Sequence, residues 1–429
     1  MTPAKHTDIM QQEAVTTGPL PTFVSLGIFL FFSLTLSAPS GYSVGAGLLL
    51  ALGLYYLAQK PWQQLSSEDK TLIYTLLGVF LIALLIFFVH GNRSRTMDAS
   101  SRYVLAIPIL LLLLKVPTRL TWLWAGLIVG AVSSAGIAIW QGYGLSETRI
   151  GGFTHPIQFG DIAFMLAVMC LAGLFWATTQ GRHAWRWQVA LIAGALAGFY
   201  SLTASLTRGS WVALPPVLLL FAVAFLSKRN LKLAFAGGVV VVMATGVFLT
   251  VAPNNVITNG YNRAASDIHL YMQKHNANTS VGARLEMWRT AAESIAKKPV
   301  LGWSYKDYRA EQERLVTAKE VDKVVLEFDH PHNNFLDVWV YQGLIGLLAL
   351  LTLYIVPFWY FCKRLRAPGI TVRALAVSGA SLLVSFFTFS LTQTVFKHND
   401  GIMFFVVTLV VLWACMRREE QTDANEKIS

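Results

Sequence analysis

The sequence is short of charged residues and of cysteine. Asp, Glu, Lys and Arg make up only 13% of its 429 residues, against about 25% in a typical soluble domain. The three cysteines, Cys170, Cys362 and Cys415, lie in or beside apolar stretches, where they form no metal-ligand spacing and indicate no disulfide framework. This composition excludes an ordinary soluble enzyme.

Apolar residues are abundant instead, at 55% of the chain. They occur in runs of about 15 to 25 residues, the length that a helix needs to cross a bilayer. We count about twelve such runs, from Phe23–Leu36 to Ile402–Met416, with Leu233–Val251 among them. The ten-residue alternation of a transmembrane β-barrel is missing. The sequence therefore predicts an all-α polytopic membrane protein with about twelve transmembrane helices.

The formal net charge of +11 raises the question of a nucleic-acid partner. The basic residues cluster in alternate connections, for example Lys363, Arg364 and Arg366, or Arg417 and Arg418 after the last apolar run. This is the positive-inside pattern, and it places both termini in the cytoplasm. We therefore expect membrane lipids around the protein and no nucleic acid.

One connection is much longer than the others, with about 80 residues where short loops are the rule. On the topology above this loop lies outside the cytoplasm, and a loop of this length without a function would be unusual. Helical periodicity predicts helices over Arg284–Ile295 and Tyr305–Lys323 within it. The predicted organisation is nine N-terminal transmembrane helices in 1–252, a periplasmic loop in 253–334, three helices in 335–416 and a cytoplasmic tail in 417–429.

A histidine-rich turn joins this polar loop to the next apolar run. His332 is the principal candidate for chemistry, because an imidazole with a pKa near 6.5 suits proton transfer at neutral pH. Asp329, His330 and Asn333 lie within a few residues and could orient its ring. We therefore predict a catalytic His332 with these three as supporting residues.

Two other interpretations of this turn remain open. Asn333 or Asn334 could cap the following helix, with both histidines facing water. A metal site through His330 and His332 would need a third ligand, and the neighbouring sequence offers no obvious one.

Several arginines fall on the same outer side of the predicted topology. Arg208 is squeezed between two apolar runs, Arg149 precedes a glycine turn, and Arg284 opens a loop helix. An arginine at membrane depth costs roughly 2.5–3.5 kcal/mol and usually faces a cavity or an anion. Converging guanidinium groups would bind phosphate or pyrophosphate in a bidentate manner. The alternative is snorkelling to lipid headgroups, which we favour for Arg93 and Arg95.

The last outer turn adds three more polar residues between two apolar runs. These are Lys397, His398 and Asp400. They predict a polar wall beside the same site, without a role for any one of them.

The residues of these segments resemble a known family. His332-Asn333, nine residues and then Gly343-x-x-Gly346 resemble the signature of bacterial O-antigen ligases, which share a superfamily with O-antigen polymerases and protein O-oligosaccharyltransferases. Arg208 in Thr-Arg-Gly-Ser-Trp and Arg284 ahead of Trp288 are similar to its arginine motifs. The turn after Arg149 is also similar, and the resemblance covers nearly the whole chain.

The resemblance implies a GT-C-like fold and a specific reaction at the periplasmic face of the inner membrane. An O-antigen polysaccharide on undecaprenyl pyrophosphate would be the donor, and a sugar hydroxyl of lipid A-core the acceptor. Transfer would invert the anomeric centre without a metal or other cofactor. His332 would be the general base, and Arg208 and Arg284, with help from Arg149, would bind the pyrophosphate.

Rival functions remain. A polymerase would use a second lipid-linked glycan as acceptor, and a protein O-oligosaccharyltransferase often carries more sequence after the last helix than follows Arg418 here. A flippase or secondary transporter would place its polar groups near the middle of the membrane, whereas here they crowd one face and one loop.

Overall fold

A computed structural model describes residues 18–59, 65–226, 265–273 and 276–426. Eight of the described helices are long and apolar enough to cross a membrane, and three shorter apolar helices accompany them. The predicted span Leu233–Val251 lies outside the described residues. No β-strand occurs in the described part of the chain, so the prediction of an all-α polytopic membrane protein is confirmed.

We number the described α-helices in chain order. They are α1 (Leu20–Leu34), α2 (Tyr42–Gln59), α3 (Ser67–His90), α4 (Asp98–Lys115), α5 (Leu120–Ile139), α6 (Pro156–Ala177), α7 (Ala184–Ala204), α8 (Gly209–Val212), α9 (Leu214–Phe225), α10 (Ser280–Lys297), α11 (Tyr305–Thr317), α12 (Asn334–Cys362), α13 (Ile370–Ser390) and α14 (Asn399–Glu426). The loop helix predicted over Tyr305–Lys323 is shorter than expected, because α11 ends at Thr317.

The centre of the bundle consists of α6 and α14. Within their most apolar segments 83% and 89% of the residues are buried, against 33% for α3 and α7. A helix that is apolar on all sides is typical of such a core position, whereas α3 and α7 present most of their surface to lipid. The N-terminal ends of the two central helices lie beside the histidine-rich turn, so the candidate site rests on the most constrained part of the fold.

Ion pairs close the other end of the bundle. Arg364 pairs with Glu68 and, at 2.7 Å, with Glu420, which also accepts from Arg417 at 2.5 Å. Trp413 Nε1 donates to the Asp69 carboxylate at 2.8 Å. These contacts join the start of α3, the connection after α12 and the later turns of α14.

Helix α12 is broken at Gly343, where φ is 67° and ψ is −169°. The break frees two backbone groups from their helical partners. The N–H of Trp303 donates to the carbonyl of Val340 at 2.7 Å, and the N–H of Leu344 donates to the carbonyl of Pro299 at 2.8 Å. We call this contact between 299–303 and 340–344 the loop clasp, because it fastens the long loop to a membrane helix.

Glycine is required on both sides of the loop clasp. The backbone conformation of Gly343 is almost confined to glycine, and a Cβ there would overlap the carbonyl of Val300. Gly302 has a φ of 74°, and a Cβ on it would lie 2.5 Å from the carbonyl oxygen of Val340. Gly343 of the sequence motif is therefore required because two backbone segments approach each other closely at this position.

Replacing Gly343 by Ala should loosen the loop. The strained backbone alone should cost about 1–3 kcal/mol, and the overlap with Val300 adds to it. We expect faster limited proteolysis within the loop and a lower melting temperature in detergent. Gly136→Ala in α5, where an added Cβ meets no atom within 4 Å, is the control. Equal loop protection in both variants would show that the loop clasp does not hold the loop.

Candidate active site

His332 lies in a strained turn. Its φ is 50°, a left-handed conformation that is uncommon for residues other than glycine and often marks a functional position. Its backbone N–H donates to Nδ1 of His330 at 3.4 Å, and the centroids of the two rings are 4.4 Å apart. The turn therefore brings the rings of His330 and His332 together.

Asn333 is the N-cap of α12. Its Oδ1 accepts from the backbone N–H of Phe335 at 3.0 Å and from the next amide at 3.1 Å. Its Nδ2 donates to the carbonyl of Leu391 at 3.1 Å. The capping interpretation thus holds for Asn333 without excluding chemistry at His332, whose side chain takes no part in the cap.

Gln393 holds the ring of His332. The distance between His332 Nδ1 and Gln393 Oε1 is 2.8 Å, and an amide oxygen only accepts, so Nδ1 carries the proton of the neutral ring. This tautomer leaves the lone pair of Nε2 available. Gln393 itself is only 2% exposed, and its Nε2 lies 3.4 Å from Nε2 of His398.

The environment favours the neutral form of His332. Burial is the main cause that lowers its pKa, and the positive charges of Arg284, His398 and Lys397 lower it further, while the hydrogen bond with Gln393 opposes them. A neutral imidazole with a free Nε2 lone pair is a base. His332 is therefore ready to accept a proton near neutral pH.

Arg284 faces the same cavity as His332. The cavity has a volume of about 300 Å³ and is lined on its other sides by residues such as Thr279, Met287 and Phe328. Arg284 is half-buried. The cavity thus joins a base and a cation, the pair that an acid–base reaction on an anionic substrate needs.

Three guanidinium groups from separate segments lie within electrostatic reach of one another. Burial lowers the pKa of Arg284, and the positive charges of Arg149 and Arg208 lower it further. Arg149 Nε donates to the carbonyl of Ser205 at 3.3 Å, in the segment that leads to Arg208. The arrangement suits a ligand with several negative charges, such as a pyrophosphate.

The loop helix α10 is tied directly to the histidine-rich turn. Trp288 Nε1 donates to the carbonyl of Pro331 at 2.8 Å. Trp288 lies one helical turn after Arg284, and Pro331 immediately precedes His332. At its other side, Glu286 accepts from the backbone N–H of Asp322 at 2.9 Å. These bonds fix the position of Arg284 relative to His332.

The other predicted supporting residues have different roles. Burial, followed by the charges of His332, Lys397 and His398, lowers the pKa of His330 to about 3, so this ring remains neutral. In the described structure the carboxylate of Asp329 forms no hydrogen bond with His332; the carbonyl of Asp329 accepts from Lys397 at 3.5 Å. Gln393, which the sequence did not single out, orients the base instead.

The turn that carries Lys397, His398 and Asp400 also contacts the turn that follows Arg149. The rings of His398 and His155 are 6.0 Å apart, and Asp400 accepts a hydrogen bond from Thr154. Within the described ranges, no three His, Cys, Asp or Glu side chains are grouped so as to hold a metal ion. The only signal for Gln393 in the sequence was its place at the end of an apolar run, next to Lys397 and His398.

Comparison with known proteins gives consistent matches. A family model described as O-antigen ligase matches residues 192–351, which include Arg208, Arg284, His332 and Gly343. A Haemophilus influenzae protein named only as uncharacterized is 30% identical over 385 residues, which is 89% of this chain and 95% of that protein. An O-antigen ligase of Escherichia coli is 29% identical over 186 residues, 43% of each chain.

Replacing Gln393 by Glu should raise the pKa of His332 by about one pH unit or more, because an adjacent negative charge favours the imidazolium. The wild-type ring has a pKa below its ordinary value of 6.5, so as the pH falls the variant should become protonated at a higher pH than the wild type. Diethyl pyrocarbonate modifies neutral imidazole, so its rate at His332, followed by mass spectrometry between about pH 5 and 8, reports the change.

The matched control is Gln180→Glu, in the connection between α6 and α7. This variant should leave the pKa of His332 at its wild-type value. An identical titration in Gln393→Glu would show that Gln393 does not set the ionisation of His332.

Proposed function

This chain belongs to the O-antigen ligase superfamily, and we propose that it transfers an O-antigen polysaccharide from undecaprenyl pyrophosphate to a sugar hydroxyl of lipid A-core. The observation that carries the proposal is the shared cavity of His332, with a free Nε2, and Arg284. On this proposal the cavity opens at the periplasmic face of the bacterial inner membrane, and both termini are cytoplasmic.

His332 is the general base of the proposed reaction. Its Nε2 takes the proton of the acceptor hydroxyl as that oxygen attacks the anomeric carbon of the donor. The bond from this carbon to the pyrophosphate oxygen breaks on the opposite face, so the configuration inverts and the electron pair leaves with undecaprenyl pyrophosphate. A positioned base of this kind typically contributes about 10²- to 10⁴-fold to the rate.

The arginines stabilise the leaving group. Negative charge grows on the pyrophosphate as the bond breaks, and preorganised cations in a half-buried cavity are most effective where that charge develops. The guanidinium groups of Arg284, Arg208 and Arg149 supply this charge, so on this proposal they take the part that a metal ion plays in other glycosyltransferases. Burial is the main cause that lowers the pKa of Arg284, and the charges of Arg149 and Arg208 lower it further; an anion relieves this repulsion.

Other functions within the superfamily differ mainly in the acceptor. An O-antigen polymerase or a protein O-oligosaccharyltransferase would use the same base and arginines with another glycan or a protein as acceptor. The name of the Escherichia coli relative, O-antigen ligase, supports the ligase. A flippase is less well supported, because the polar residues of the site gather at one end of the bundle rather than at its middle.

Replacing His332 by Ala should abolish lipopolysaccharide ligation in a deletion strain and reduce the rate about 10²- to 10⁴-fold in vitro. The expected phenotype is loss of the O-antigen ladder, with long polymer stranded on undecaprenyl pyrophosphate. His183→Ala, at an exposed histidine between α6 and α7, should restore the ladder. A core capped by one repeat unit in the deletion strain would indicate a polymerase. An unchanged ladder would overturn both the ligase and the polymerase function.

Replacing Arg284 by Lys should raise the KM for the lipid-linked donor and lower kcat, each by about tenfold, because lysine keeps the charge and loses the bidentate geometry. Arg284→Gln should be more severe. Steady-state kinetics with purified protein and varied donor concentrations measure the donor KM and kcat of each variant. Arg95→Lys, at an exposed outer arginine, is the control, and a donor KM for Arg284→Lys equal to the control value would contradict the assignment.

A further inference from the structure

A second polar cavity lies on another side of the histidine-rich turn. It has a volume of about 100 Å³ and lies among α3, α4, α12 and α14. It has no lining residue in common with the cavity of Arg284 and His332. Its polar lining residues include Ser100, Tyr305, Asn334, Asp337, Gln342 and Lys397.

One buried side chain of this cavity retains hydrogen-bonding capacity. Asn334 is 2% exposed, and its Nδ2 has no hydrogen-bond partner in the described structure. Leaving such a donor unsatisfied costs about 1–3 kcal/mol, and a ligand that accepts a hydrogen bond would satisfy it. The neighbouring Asp337 Oδ1 is already paired with Lys397 Nζ at 2.7 Å.

The charges of the cavity distinguish it from the arginine site. The negative charge of Asp337 is balanced by Lys397, which also lies over the rings of Tyr341 at 4.7 Å and Tyr305 at 5.5 Å. A balanced pair gives little attraction for phosphate. Amide, carboxylate and hydroxyl groups beside aromatic rings suit an uncharged polyol, which presents hydroxyl groups on its edge and C–H groups on its face.

We propose that this cavity binds a hydroxyl-bearing sugar ring of the acceptor glycolipid. The proposal rests on the proposed function, in which the acceptor must approach the anomeric carbon from the face opposite the pyrophosphate. Asn334, two residues after His332, lines this cavity, and none of the three arginines does. The mainly lipid-exposed helix α3 forms one side, which gives a membrane-anchored substrate lateral access.

Two variants test the cavity. Ser100→Leu should fill it from α4, and Asn334→Ala should remove the unpartnered amide. For the full-length enzyme with lipid A-core and lipid-linked donor, we expect the acceptor KM to rise about tenfold, with the donor KM within about twofold of wild type. Ser101→Leu is the matched control, because Ser101 is adjacent on α4 and does not line the cavity. An unchanged acceptor KM, or an equal rise in both KM values, would overturn the proposal.

Direct binding separates this proposal from the proposed function. Lipid A-core binding to the full-length protein in nanodiscs, without donor, should be about tenfold weaker for Ser100→Leu than for wild type. Wild-type protein that binds lipid A-core through this cavity but does not transfer glycan to it would overturn the ligase function alone. Transfer by wild type with unchanged acceptor binding in both variants would overturn the cavity alone, whereas a wild type that neither binds lipid A-core nor transfers glycan to it would overturn both proposals.

Discussion

The geometry of the site depends on the backbone hydrogen bonds of the loop clasp. They hold the turn before α11 against the break in α12 at Gly343. From there Trp303 Nε1 donates to the carbonyl of Ser294 at 2.8 Å, which anchors the end of α10. The same helix contacts the turn of His332 through Trp288. Base and arginine thus belong to one closed ring of contacts, and a shift at the loop clasp would change the distance between them.

Charge is distributed unevenly within this frame. Guanidinium groups lie within electrostatic reach of the cavity of His332, and the paired Asp337 and Lys397 line the second cavity. Burial and the charge of Arg284 lower the pKa of His332, and burial and the charges of Arg149 and Arg208 lower the pKa of Arg284, so a neutral imidazole lies near cations that repel one another. An anion among the arginines would cancel that repulsion and make His332 more basic, because the positive charge that opposes its protonation would be screened. Under the proposed function, donor binding and base strength are therefore linked.

The sequence predicted the fold through composition and run length, because a helix in lipid must be apolar over its whole crossing. It also singled out His332 and the arginines, because ionisable groups beside apolar runs are costly and stand out. It did not identify Gln393, which is a neutral residue distant in sequence whose role comes only from the packing of α13 and α14 against the turn. Asp329 was one of three supporting residues predicted from proximity in sequence, but in the described structure its carboxylate forms no hydrogen bond with His332, whose ring contacts Gln393.

The separation of the two cavities bears on specificity within the superfamily. Under the proposed function, ligases, polymerases and oligosaccharyltransferases use the same kind of donor, so a cavity of arginines beside a base would serve all of them. What differs is the acceptor, and the second cavity is bounded by membrane helices α3, α4, α12 and α14 rather than by the loop helix that carries Arg284. On this proposal, changes on the surfaces of α3 and α4 that face the cavity alter the acceptor without disturbing the loop clasp, Gln393 or the arginines. The choice between ligase and polymerase would then be made in the side chains of α3 and α4, outside the motifs by which the family is recognised.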